Sequence, residues 1–130
     1  MMSIETFLAR TCTQLCVYWG SPVNDGTGGF TFADPVELKC RWEETEQIVA
    51  DKEGNTITSR ALVYLLQDVD EEGMLYFGTL NNLDSDQEDN PISIEGAYYI
   101  KRFQKTPALG STTAFLRKAF LTPSLSFGGM

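Results

Sequence analysis

The chain contains no histidine. That absence removes the commonest general base, the commonest zinc ligand and every Ser-His or Cys-His nucleophilic arrangement. Carboxylates and lysines remain as acid–base groups, so a carboxylate-based hydrolase stands only as a distant third reading, and no catalytic residue is assigned. Cysteine is scarce too: three, an odd number and a poor disulfide framework. On one strand, Cys12 and Cys16 would lie about 13 Å apart, too far to bridge. Free, buried thiols are expected. No apolar stretch approaches the roughly 20 residues of a membrane span, and no basic start with an apolar run marks a signal peptide. The expected setting is a cytosol, or a particle assembled there, without membrane contact.

Positive charge is missing from a long stretch. Between Asp68 and Glu95 there is no lysine or arginine, against nine acids: Asp68, Asp70, Glu71, Glu72, Asp84, Asp86, Glu88, Asp89 and Glu95. They are half of the 18 Asp and Glu in the chain. Such a field repels nucleic-acid backbone and favours metal ions or basic protein surfaces. The net charge of −8 carries the same message. At 130 residues and 42% hydrophobic content, the chain fits one domain able to bury about two thirds of its unfolded surface.

What is present has period two. Val36, Leu38, Cys40 and Trp42 alternate with Glu37, Lys39 and Arg41, which predicts a half-buried antiparallel strand. In Thr11–Trp19, Leu15, Val17 and Trp19 alternate with Gln14, Cys16 and Tyr18, whose face is itself only partly polar, so both sides can be covered. Gln47–Asp51, the turn Lys52-Glu53-Gly54-Asn55 and Thr56–Gln67 read as a hairpin. Met74–Leu80 and Ala97–Lys105 are further strands, joined by an acidic connection (Asn81–Pro91) expected to be a solvated loop. Thr113–Leu121 fits a strand or a short helix. The expected fold is all-β: a small antiparallel β-barrel or sandwich (residues 12–121) with an N-terminal arm (1–11) and a C-terminal tail (122–130).

Three constellations invite chemistry. Asn24-Asp25-Gly26-Thr27-Gly28-Gly29 is glycine-rich, but a phosphate cradle leads into a helix and usually carries a lysine; this loop leads into strand-like Phe30-Thr31-Phe32 and reads as a connection. Asp84, Asp86 and Glu88, with Glu95 beyond, space oxygen ligands as a calcium loop does. Yet Asp89 stands where the turn glycine belongs and Pro91 interrupts, so no metal or cofactor is assigned and a calcium-dependent β-barrel or sandwich binding module remains an alternative. Lys101, Arg102, Lys105, Arg117 and Lys118 are five of the ten basic residues. They are either solvated strand edges or a surface that meets the acidic region (Asp84, Asp86, Glu88) of a neighbouring copy, a contact of unlike patches that closes into a ring.

The order of signals also carries a resemblance. Val17-Tyr18-Trp19-Gly20 precedes the glycine-rich loop, followed by Phe32-Ala33-Asp34-Pro35-Val36-Glu37-Leu38-Lys39-Cys40-Arg41-Trp42-Glu43. Then come Gly73-Met74-Leu75-Tyr76-Phe77-Gly78, the acidic connection, Gly96-Ala97-Tyr98-Tyr99-Ile100-Lys101-Arg102-Phe103, and Phe115-Leu116-Arg117-Lys118-Ala119-Phe120-Leu121. Over roughly residues 12–121 this resembles the head–tail connector proteins of tailed bacteriophages, particularly the stopper or head-completion class. The resemblance implies a virion protein of the neck, assembled in the host cytoplasm as a ring, a hexamer or a dodecamer. The ring would sit below the portal or adaptor and above a tail-terminator or tail protein, and DNA would pass through it without specific binding. In some members a loop closes the channel. By strand order that loop is the hairpin between Trp42 and Ser59, with Glu43, Glu44, Glu46, Asp51, Lys52 and Glu53 facing the lumen. A tail-terminator or other neck ring is the alternative within the same class.

Overall fold

The structure, a computed structural model, describes residues 10–24, 26, 30–50, 53–107 and 115–123. Nearly all of the N-terminal arm (1–9), the tail from residue 124, Asp25 and residues 27–29 of the glycine-rich loop, Asp51 and Lys52 at the hairpin turn, and residues 108–114 lie outside the described residues.

Period-two segments become strands β1 (Gln14–Trp19), β2 (Val23–Asn24), β3 (Phe30–Thr31), β4 (Val36–Ala50), β5 (Thr56–Leu65), β6 (Met74–Phe77), β7 (Ala97–Pro107) and β8 (Phe115–Thr122). Six of them close an antiparallel barrel in the order β1-β4-β5-β8-β7-β6, while β2 and β3 pair only with each other. Closure leaves no sheet edge along the wall, which removes the usual template for uncontrolled strand addition. The ambiguous segment before Leu121 is β8: its residues pair with both β5 and β7, and that two-sided pairing overrides any local helical tendency.

Alternation sends Cys16 and Tyr18 of β1, Leu38, Cys40 and Trp42 of β4, and Ala61, Val63 and Leu65 of β5 into the barrel. They meet Leu75, Ile100, Ala119 and Leu121 there. A register shift in β7 between Ile100 and Arg102 passes the inward parity from Ile100 to Phe103 and leaves Lys101 and Arg102 on the outside. Each large side chain withdrawn from water here contributes about 1.5–3 kcal/mol.

A second core lies outside the wall. Val17 and Trp19 of β1, Met74 of β6, and Ala97 and Tyr99 of β7 pack against Leu83 and Ile94. Both faces of β1 are therefore covered, and the interior takes the Cys16/Tyr18 face. The connection from β6 to β7 is not the solvated loop that its composition suggests. It folds as a 3-10 turn (Leu80–Asn82), a short helix (Ser85–Asp89) and a second 3-10 turn (Pro91–Ser93). Apolar residues at Leu83, Pro91 and Ile94, spaced among the acids, are buried, so the acids occupy only the solvent face of a folded cover.

The strand from Val36 does not stop near Trp42. It runs to Ala50, with an irregularity between Glu44 and Gln47, so the expected Val36–Trp42 strand and the Gln47 arm of the hairpin are one element.

Candidate functional site

β4 pairs with β1 only up to Cys40, and β5 pairs with β8 only from Ala61 onward. Beyond those points the β4–β5 hairpin continues as a two-stranded ribbon. It leans back on the barrel, because the Arg102 Nη1–H donates to the Ala50 carbonyl at 2.8 Å. Gly54, at a φ of 86°, shapes the turn. The expected lumen-facing acids are on this ribbon. Glu43 accepts from Arg41 Nε at 2.9 Å, and Glu46 lies 3.4 Å from Arg60 Nε. Glu44 and Glu53 are exposed. Ile48 is the most exposed large hydrophobe of the ribbon, at 74%. Asp51 and Lys52 lie outside the described residues.

The basic cluster finds acid within its own chain, a pairing that sequence order does not reveal. β6 covers β7 only over Ala97–Tyr99. The segment leading into β6 therefore runs beside the rest of β7, where Glu72 N–H donates to the Ile100 carbonyl and Ile100 N–H to that of Gly73. This brings Lys101 to Glu72 at 3.4 Å, and Lys105 and Arg117 to Asp68 at 3.1 and 2.6 Å. Glu71 accepts the backbone N–H of Phe103 at 2.9 Å. Phe115 lies under both cations, 4.5 Å from Lys105 Nζ and 5.6 Å from the Arg117 guanidinium carbon. The Arg117 guanidinium, aided by Lys105, holds the Asp68 carboxyl below its ordinary range. Among the described residues, Lys118 has no acidic partner. The available signal was the coincidence of acids just before one strand with bases along the strand that follows it.

Asp84 caps the acidic helix, accepting from Gln87 N–H at 2.9 Å, while Gln87 returns a bond to Asp84 N–H at 2.9 Å. The helix is tied to the wall by Trp19, whose indole N–H donates to the Glu88 carbonyl at 2.8 Å. Asp86 and Asp89 are exposed, and Asp86 and Glu88, in the first turn, complement the start of the helix dipole. Asp84 thus spends an oxygen on the backbone. Among the described residues no three His, Cys, Asp or Glu side chains gather as metal ligands.

The thiols are free and buried. Contact with Cys40 and then burial push the Cys16 thiol far above its ordinary range, and burial raises Cys12. A protonated, enclosed thiol is neither nucleophile nor ligand. Burial likewise pushes Tyr18 up to about 12, and its hydroxyl oxygen accepts the Asp70 N–H at 2.7 Å. What the surface offers is charge pattern and shape: an acid-bearing ribbon beyond the barrel, an acidic cover on one wall, and a basic group largely neutralised at home.

Set against protein-family models, curated proteins and solved structures, the chain matches none.

Proposed function

We propose that this chain is a non-enzymatic structural subunit of a tailed-phage neck. It would form a ring that joins the portal or adaptor to the tail and lines the DNA channel. The observation that carries the reading is the β4–β5 ribbon, which bears Glu43, Glu44, Glu46 and Glu53 beyond a closed barrel. A closed barrel is a rigid building block without reactive edges, and acids on a projecting element present a surface on which phosphate does not settle. Duplex DNA then slides past rather than binding. The sequence resemblance implies the same hairpin at the channel.

Identical subunits at −8 each repel one another, so ring closure needs a compensating contact. Lys105 and Arg117 are engaged with Asp68, and Lys101 with Glu72. The contact we propose therefore rests on Lys118, and on Arg102, whose acceptor is a backbone carbonyl. These face Asp84, Asp86 and Glu88 of the adjacent copy.

Mass photometry and negative-stain imaging of the purified chain, alone and with isolated phage necks or portals, test this. Rings of six or twelve copies, or uptake into the neck, are expected. A chain that stays monomeric at high concentration and ignores neck components refutes the reading.

A further inference from the structure

The barrel wall has no open edge, but the ribbon that leaves it has two. β4 loses β1 after Cys40, and that ladder is capped where the Gln14 side-chain oxygen accepts the Trp42 N–H at 2.7 Å. β5 meets β8 only from Ala61 onward. Farther out, β4 and β5 pair only with each other among the described residues, through Gln47↔Ser59, Ile48↔Thr58, Val49↔Ile57 and Ala50↔Thr56. Neither Gln47-Ile48-Val49-Ala50 nor Thr56-Ile57-Thr58-Ser59 contains a charge or a proline. Open edges are ordinarily guarded by lysine, proline or a bulge, and here the irregularity lies nearer the barrel, before Gln47. Ile48, at 74%, and its partner Thr58 are both exposed. Exposed β-branched residues along unguarded edges suit the addition of a further strand.

We propose that the added strand comes from a second copy: the β5 edge of one ribbon pairs with the β4 edge of the next, residues 57–60 antiparallel to residues 46–49. The contact rests on the ring reading above and supplies the junction between subunits beside the channel. Direction is the first reason. β4 and β5 are antiparallel within each copy, so joining unlike edges carries the same alternation through every subunit. Such a contact repeats head to tail, as a ring requires, whereas joining like edges stops at two copies. Charge is the second. With Thr58 opposite Ile48, Arg60 of one copy lies opposite Glu46 of the next, a favourable cross-strand pair. Within the chain these side chains are 3.4 Å apart and 56% and 67% exposed, so each has room for another partner. Presentation is the third: Arg102 holds the ribbon by the Ala50 carbonyl, which lowers the ordering cost of pairing. Strand addition uses the edge backbone while side chains stand on the faces, so the acids of the ribbon remain facing solvent.

The test mixes two full-length variants, Ile48→Cys and Thr58→Cys, of different tag length, and oxidises them in air with copper phenanthroline. Both positions are exposed, and the native thiols are buried and stay out of the reaction. A disulfide from position 48 of one copy to position 58 of the other is expected in the mixture, and no link in either variant alone. In the unsubstituted chain, assembly followed by mass photometry should slow amide exchange within 46–49 and 57–60 at least about fivefold, the scale of one net hydrogen bond. Links from 48 to 48 or from 58 to 58 overturn the proposal by pairing like edges. Rings that form without the 48–58 link, or with exchange in the ribbon unchanged, overturn it and leave the ring reading standing. A chain that stays monomeric overturns both.

Discussion

Trp19→Phe probes the attachment of the acidic cover to the barrel. Trp19 is 1% exposed, in the outer core with Val17, Met74, Leu83 and Ile94, and its indole N–H holds the Glu88 carbonyl at 2.8 Å. The substitution deletes that bond, with a net worth of about 1 kcal/mol. The half-exposed Glu88 recovers part of this from water. It also leaves a void where the second ring was, costing about 1–2 kcal/mol, less than the roughly 3–5 kcal/mol of a full truncation to Ala. The expected loss is about 2–3 kcal/mol in urea unfolding followed by circular dichroism. The position of the loss matters as much as its size. Amide exchange should accelerate in residues 80–96 more than in β4 or β5, because the cover opens before the barrel does. A loss below about 0.5 kcal/mol, or acceleration spread evenly over the barrel, would refute the account of this segment as a folded layer anchored by Trp19.

Other expectations follow from the same geometry. Asp68 has a folded-state pKa below the ordinary value of about 3.9, so its contribution is complete above that value and disappears as pH falls through the lower folded one. Asp68→Asn should flatten the stability profile below about pH 4 in acid titrations; because the side chain is 57% exposed, the cost at pH 7 should stay below about 1 kcal/mol. Trp42→Ala should cost about 3–5 kcal/mol in chemical denaturation, given 8% exposure and contacts to two rings; a loss under about 1 kcal/mol would place the ring outside the core. At Gly73 an added Cβ meets the Trp19 carbonyl at 2.7 Å and that of Asp70 at 3.0 Å, backbone on both sides. Gly73→Ala should therefore lose about 2 kcal/mol or more, and an unchanged melting temperature would show that the segment between Asp70 and β6 shifts freely.

Alternation alone determined the all-β class and the inward side of β4. Period two states which residues share a face, and that is a local property. It could not state which strands would be neighbours. Closure of β6 onto β1, the choice of the Cys16 face of β1 for the interior, and the strand identity of β8 came from long-range pairing. The acids were legible as a field but not as partners. Asp68 and Glu72 lie within contact distance of Arg117 and Lys101 only because β6 is too short to cover β7, leaving its flank to the segment before it. The acidic connection misled for a related reason: Leu83, Pro91 and Ile94 are few and scattered along the chain, and only the outer wall of β1, β6 and β7 gathers them into one buried layer.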